Sequence, residues 1–168
     1  MKNTYRDLIE QTFYFPQEGF EVIDNQLHFN GIDLMEIIKQ YGTPLKISYL
    51  PKIASQIKKA KRIFNVAIAK ADYKGSYTYC YCTKSSHFSF VLNEVVKHDV
   101  HIETSSAFDI PLIKALYADK KIDKDIYIIC NGYKIPQYID YIADLVNTGF
   151  GNVIPILDNM SELPQYEK

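Results

Sequence analysis

The chain has 168 residues, of which 47% are hydrophobic and 23% are charged, and its formal net charge is −1. This length fits one domain with enough apolar material for a core. A charge this close to zero does not favour a nucleic-acid partner or a membrane surface. No apolar run approaches the roughly 18 residues of a membrane helix, and no secretory segment is evident. Three cysteines are few, which favours a reducing, cytoplasmic location.

Residues 1–44 are predicted to form an N-terminal lead-in segment. It contains a short strand at Gln26–Phe29 and a helix at Leu34–Tyr41 whose apolar residues follow helical spacing. Asp33 is placed to cap the start of this helix, and Gly42 is placed to end it. We therefore expect a strand and a short helix before the main domain begins.

From residue 45 to residue 168 the pattern changes to that of an α/β domain. Residues 45–49 alternate in polarity and favour an extended segment, and Pro51 begins a long amphipathic helix. Four strand–helix pairs follow. The predicted strands cover residues 77–83, 100–103, 126–130 and 153–157, and the predicted helices cover residues 87–97, 109–118 and 137–146, with another beginning near residue 158. Strands that alternate with helices of this length predict a parallel sheet.

Four consecutive units fit half of a (β/α)8 barrel as well as an open doubly wound sheet. The first strand favours the barrel, because Tyr79 and Tyr81 share one face while Cys80, Cys82 and Lys84 share the other. In a barrel, large side chains would point outward against the helices and small ones would point into a narrow interior, which fits this alternation. We therefore predict an α/β fold that is the first half of a (β/α)8 barrel, truncated after about four strands.

Lys84 and Glu103 end two neighbouring predicted strands and are the strongest candidates for chemistry. Burial of an unpaired ammonium is costly, so a lysine at the end of a buried strand is a candidate amine nucleophile for a Schiff base. Glu103 would hold this lysine or tune its proton affinity by opposite charge. The simpler alternatives are a lysine that extends into water and a solvated loop carboxylate.

Two other patterns give weaker signals. Cys80 and Cys82 are spaced C-x-C, but no further ligands are grouped with them, so two small buried residues are a better interpretation than a metal site. Gly149 and Gly151 precede a strand, which indicates a turn and not a phosphate-binding loop. The phosphate of any phosphorylated cofactor would therefore need a site supplied elsewhere.

The residues at these positions resemble the fold-III pyridoxal-phosphate decarboxylases, the alanine-racemase-like barrel group. The resemblance covers residues 27–163 and is strongest to the biosynthetic arginine decarboxylases. It is carried by Q-Y-G-T-P-L at 40–45, the strand that ends at Lys84, H-I-E-T-S-S-A-F-D at 101–109, I-I-C-N-G-Y-K at 128–134 and L-D-N at 157–159. Members of this family are far longer, so the resemblance implies that this chain corresponds to their N-terminal portion.

The resemblance implies that Lys84 carries pyridoxal 5′-phosphate and that Glu103 orders Lys84 and the cofactor. Ser106 and Asp109 would support the turn beside them. It also implies a carboxy-lyase whose substrate is a small molecule, an amino acid. L-arginine, which gives agmatine and CO2 in polyamine biosynthesis, is the first substrate to expect, with meso-diaminopimelate and ornithine as alternatives. A homodimer or higher homo-oligomer is expected as well.

Two alternatives to a decarboxylase remain open. One is a protein that binds pyridoxal phosphate without catalysis, either as a carrier or as a regulatory relative of the decarboxylases. The other is an α/β module without a cofactor, in which Lys84 is an ordinary surface lysine.

Overall fold

The computed structural model of the protein describes residues 18–166, and its contacts divide the chain into two units after Ser48. The part of the predicted lead-in at residues 1–17 lies outside the described residues. In the first unit, three short strands form an antiparallel sheet and a helix follows them. These elements are β1 (Phe20–Ile23), β2 (Gln26–Phe29), β3 (Ile32–Asp33) and α1 (Leu34–Tyr41). The predictions of β2 and α1 are confirmed, whereas β1 and β3 were not predicted.

Helix α1 begins and ends at the residues that the sequence predicts. The Asp33 carboxylate accepts hydrogen bonds from the backbone N–H groups of Met35 at 2.8 Å and Glu36 at 3.2 Å. These bonds satisfy two of the donors that the first turn of a helix leaves without a backbone partner. Gly42 follows the last turn with a φ of 79°, a conformation that glycine adopts without strain.

The second unit begins with a long helix and continues as four strand–helix units. Its elements are α2 (Pro51–Lys70), β4 (Cys80–Cys82), α3 (Ser89–Val95), β5 (His101–Thr104), α4 (Ile110–Ala118), β6 (Ile128–Cys130), α5 (Pro136–Asn147) and β7 (Val153–Pro155). Residues 45–49, predicted to be extended, form no strand, and the element near residue 158 is a 3-10 helix, Met160–Gln165. No helix within residues 18–166 is long and apolar enough to span a membrane.

The four strands of the second unit form one parallel sheet in the order β4-β5-β6-β7. Neighbours in the sheet are therefore neighbours in the chain. A doubly wound sheet reverses its strand order at one point, and the four strands of this sheet show no such reversal. This order is the one expected of a barrel segment.

Helices cover one face of this sheet. Ile102 and Ile128 on that face are fully buried, and Tyr81 packs against them from β4. The core around them also contains Leu92, Ala107, Ile110, Ile113, Leu116, Tyr138, Ile142, Leu145 and Phe150. The opposite face carries Cys80, Cys82, His101, Glu103 and Ile129, which are only half-buried. In a closed barrel this face would line the interior. Four strands are too few to close around it.

Strand β4 differs from its prediction in length and burial. It was expected to cover residues 77–83 and to be fully buried, but it has three residues and is half-buried, because it lies at the edge of the four-stranded sheet and no helix of residues 49–166 covers its open face. Lys84 therefore lies in a 3-10 turn, Thr83–Ser85, and is exposed. Cys80 and Cys82, expected to be buried, are half-buried, whereas Cys130 is buried.

Candidate active site

The carboxyl ends of the parallel strands bring the candidate residues to one edge of the sheet. Lys84 comes just after β4, Glu103 lies within β5, and Ser106 and Asp109 lie in the turn after β5. In the sheet, Glu103 is the direct neighbour of Cys82. Cys82 lies two residues before Lys84 in the chain. The loops that follow parallel strands open on the same side, which is where barrel enzymes bind their substrates.

The Lys84 side chain extends into water, as the simpler alternative from the sequence predicts. Lys84 is exposed and forms no hydrogen bond or ion pair with any residue from 18 to 166, so the expected pairing with Glu103 is not seen. Its turn is nevertheless fixed, because Thr83 is only 1% exposed and its Oγ1 donates a hydrogen bond to the backbone oxygen of Glu103 at 3.1 Å. The backbone of the lysine turn is thus attached to β5 while the amine extends into solvent.

The Glu103 carboxylate is held by a residue that the sequence analysis did not single out. Asn131, directly after β6, donates a hydrogen bond from Nδ2 to Glu103 Oε1 at 3.0 Å. The backbone N–H of Asn131 donates to the oxygen of Thr104 at 2.9 Å and extends the strand pairing by one residue. This pairing places the Asn131 side chain next to Glu103. An Asn-Gly pair at the end of a predicted strand is a turn signal, but the signal does not reveal the contact.

Ser106 and Asp109 order the turn between β5 and α4. Asp109 is 8% exposed, and its Oδ2 accepts hydrogen bonds from the backbone N–H groups of Ser105 at 2.8 Å and Ser106 at 3.0 Å. The Ser106 hydroxyl donates to the same oxygen at 3.2 Å. A buried carboxylate needs such donors to offset the loss of water. The two side chains therefore stabilise the loop next to Glu103.

A buried ion pair joins the next two loops, and the sequence analysis missed it. Lys134 and Glu162 are both 0% exposed, and Lys134 Nζ lies 3.6 Å from Glu162 Oε2. Nζ also donates hydrogen bonds to the backbone oxygens of Gly132 and Ile156. Glu162 accepts hydrogen bonds from the backbone N–H groups of Lys134 at 3.2 Å and Asp158 at 3.4 Å. The loops after β6 and β7 are therefore fixed relative to each other.

These contacts form a continuous series across the carboxyl edge of the sheet. Thr83 bonds Glu103, Asn131 bonds the same glutamate, and Lys134 connects the Asn131 turn to Glu162. An accessible amine at the same edge of the sheet as a fixed carboxylate fits the aldehyde end of pyridoxal phosphate, which lysine amines bind covalently. The phosphate end would need donors other than these residues.

Within residues 18–166, no group of three or more His, Cys, Asp or Glu is arranged to hold a metal ion.

Comparison with known proteins identifies relatives of the expected kind. No protein-family model matches the chain. The chain is 23% identical over 143 residues to the biosynthetic arginine decarboxylase of Trichlorobacter lovleyi, covering 80% of this chain and 22% of that protein. It is 24% identical over 163 residues to the biosynthetic arginine decarboxylase of Phocaeicola vulgatus, covering 90% and 25%. The chain thus spans about a quarter of the length of the curated relatives it matches.

Two solved structures share the fold. The biosynthetic arginine decarboxylase SpeA from Campylobacter jejuni matches with a TM-score of 0.65 at 20% identity, covering 89% of this chain and 26% of that one. The diaminopimelate decarboxylase from M. jannaschi matches with a TM-score of 0.66 at 19% identity, covering 89% and 32%. The matches confirm that the fold is a partial barrel. Over most of its length and at low identity, the chain is similar to the fold-III pyridoxal-phosphate decarboxylases.

Proposed function

We propose that the complete protein is a pyridoxal-phosphate-dependent amino-acid decarboxylase that converts L-arginine to agmatine and CO2 for polyamine biosynthesis. The observation that carries this proposal is the placement of Lys84 and Glu103 at the carboxyl edge of neighbouring strands in a partial barrel that is similar to decarboxylases. The chain covers about a quarter of its relatives, so the activity is proposed for the whole protein.

In this proposal the residues at the sheet edge hold and orient the cofactor. The Lys84 amine would bind the aldehyde carbon, and Glu103 would order Lys84 and the cofactor by its negative charge. Ser106 and Asp109 would keep the neighbouring loop in place. Pyridoxal phosphate, when bound, supplies an electron sink for the electrons released as CO2 leaves.

The finer parts of the proposal have separate support. L-arginine is favoured over meso-diaminopimelate and ornithine by the names of the curated relatives. The free Cys80, Cys82 and Cys130 thiols support a reducing cytoplasm. A homodimer or higher homo-oligomer is proposed from the family resemblance.

The test of the proposal begins with cofactor binding to Lys84. The 168-residue chain is mixed with pyridoxal phosphate, its absorbance spectrum is recorded, and the adduct is reduced with borohydride and located by peptide mass spectrometry. Lys84→Ala is compared with Lys59→Ala, which removes an exposed lysine from α2. We expect the band and the modified peptide in the wild type and in Lys59→Ala, and neither in Lys84→Ala. Equal modification of all three proteins, or of none, would contradict the proposed site.

The second part of the test separates a decarboxylase from a carrier. Release of CO2 is measured from L-arginine, meso-diaminopimelate and ornithine with the cofactor present. Release from L-arginine that depends on Lys84 supports the proposed activity. A Lys84-dependent band without CO2 from any of the three substrates supports a pyridoxal-phosphate carrier or an inactive fragment of a decarboxylase.

A further inference from the structure

We propose that Asn131 is a positioning residue for Glu103, holding its carboxylate in the orientation that the cofactor site requires. The inference rests on the proposed function, since Glu103 is placed beside the cofactor only there. No sequence motif points to this role. It follows from the contacts of the Asn131 side chain and of the turn that carries it.

The Asn131 side chain is bonded at both ends of its amide. Nδ2 donates to Glu103 Oε1 at 3.0 Å, and Oδ1 accepts from the backbone N–H of Gly132 at 2.9 Å. An ionised carboxylate only accepts hydrogen bonds, so the group that faces Glu103 must be the NH2 group. The bond from Gly132 to Oδ1 enforces this orientation, because it binds the other end of the amide. Asn131 is therefore already oriented before any ligand arrives.

The turn at residues 131–134 is fixed on two sides. Gly132 has a φ of +77°, and a methyl group at this position would lie 3.1 Å from the backbone oxygen of Ser105. The turn thus lies directly against the loop that follows Glu103. On the other side, the buried Lys134 amine binds the backbone oxygen of Gly132 and faces Glu162. These contacts give Asn131 a rigid support, which is what a positioning residue needs.

Glu103 itself depends on this support. It lies on the half-buried, open face of the sheet, where no helix of residues 49–166 packs against it. Among residues 18–166, Asn131 is the residue whose side chain bonds its carboxylate. Without Asn131, the Glu103 side chain would be free to adopt other rotamers, and the cofactor would bind a less ordered site. Loss of a typical intramolecular hydrogen bond changes an equilibrium constant by about five- to tenfold.

A double-mutant cycle on the full chain tests the role. The dissociation constant of pyridoxal phosphate is measured for the wild type, Asn131→Ala, Glu103→Ala and the double variant, and urea unfolding is measured for the same four proteins. Asn131→Asp serves as a variant of matched shape that replaces the donor with an acceptor. We expect Asn131→Ala and Asn131→Asp to weaken cofactor binding about five- to tenfold when Glu103 is present. In the Glu103→Ala background, Asn131→Ala should change binding by less than about twofold.

The possible outcomes separate this inference from the proposed function. An equal loss of affinity from Asn131→Ala in both backgrounds would overturn the positioning role, because Asn131 would then act without Glu103. If the wild type does not bind the cofactor, the proposed site is contradicted for this chain. The unfolding cycle then decides about Asn131 and Glu103: non-additive free energies of unfolding support the contact, and additive ones overturn it.

Discussion

Lys134 and Glu162 face each other with both side chains completely buried and with 3.6 Å between Nζ and Oε2. Removing two charges from water carries a large free-energy penalty, which their mutual attraction offsets only in part. The pair is therefore poorly explained as a source of stability. Its consequence is geometric, since it fixes the loop after β6 against the loop after β7 at the edge where Lys84 and Glu103 lie.

Removal of one member of this pair should destabilise the protein more than removal of both. Lys134→Met leaves the Glu162 charge buried without its partner, and we expect the free energy of unfolding to fall by about 3–5 kcal/mol. Lys134→Met combined with Glu162→Leu should recover part of this loss, because neither charge then has to be desolvated, whereas the backbone groups that the two side chains bond still lose their partners. Urea denaturation measures both effects.

The control for this prediction is the surface pair of Lys114 and Asp144, whose side chains are each 45% exposed. Lys114→Met should change the free energy of unfolding by less than about 1 kcal/mol, because water screens exposed charges. Similar small losses for Lys134→Met and Lys114→Met would show that the buried pair does not behave as the structure indicates.

Gly132→Ala should destabilise the protein, whereas Gly151→Ala should not. At Gly132 the positive φ and the nearby Ser105 oxygen both oppose a side chain, and we expect a loss of more than about 1 kcal/mol. Gly151 has open space around it and no positive φ, so alanine there should be neutral or stabilising by up to about 1 kcal/mol. Thermal and urea unfolding of the two variants check this difference, and equal effects would contradict it.

Tyr138 should make the protein sensitive to alkaline pH. Burial raises the pKa of its hydroxyl well above the ordinary value of 10.0. As the pH rises past the ordinary pKa, the phenol ionises in the unfolded chain but stays neutral in the folded one. The unfolded state then binds fewer protons, so the free energy of unfolding falls as the pH rises.

Tyr138→Phe tests this dependence. The variant should be less stable at neutral pH, because Thr104 Oγ1 loses its partner at 2.7 Å, but its stability should fall less steeply between about pH 9 and 11. Tyr133→Phe, which changes a tyrosine that is 58% exposed, should keep the slope of the wild type. If the free energy of unfolding of Tyr138→Phe falls with pH as steeply as that of the wild type, the alkaline sensitivity does not come from Tyr138.

Cys82 and Cys130 should differ in reactivity in the folded protein. Cys130 is fully buried, and burial raises the pKa of its thiol. Because the thiolate is the reactive form, iodoacetamide should modify Cys130 only when the protein unfolds. Cys82 is half-buried on the open face of the sheet and should react in the native state. Peptide mass spectrometry after timed labelling, with and without urea, measures the order in which the two thiols are modified. Modification of Cys130 in the native protein would contradict the prediction.

Local signals predicted the elements well because their causes are local. Asp33 and Gly42 delimit α1 through bonds and backbone angles within a few residues of themselves. The alternation of Tyr81 with Cys80 and Cys82 gave the correct faces of β4, since successive strand residues point to opposite sides. Strands that alternate with helices predicted the parallel sheet, and a parallel sheet brings Lys84 and Glu103 to one edge. The sequence alone thus predicted the partial barrel and the edge that holds the candidate residues.

Burial and partners depended on the tertiary structure. Nothing near Lys84 in the sequence shows that it is exposed, and nothing near Lys134 shows that it is buried, because each result depends on which distant loops cover the side chain. The residues that define these contacts are far apart in the chain, such as the 28 residues between Asn131 and Glu103 and between Lys134 and Glu162. The sequence determined the elements and their order, since these follow from short-range spacing. Only the tertiary structure decided that Lys84 is exposed and that Lys134 is buried against Glu162.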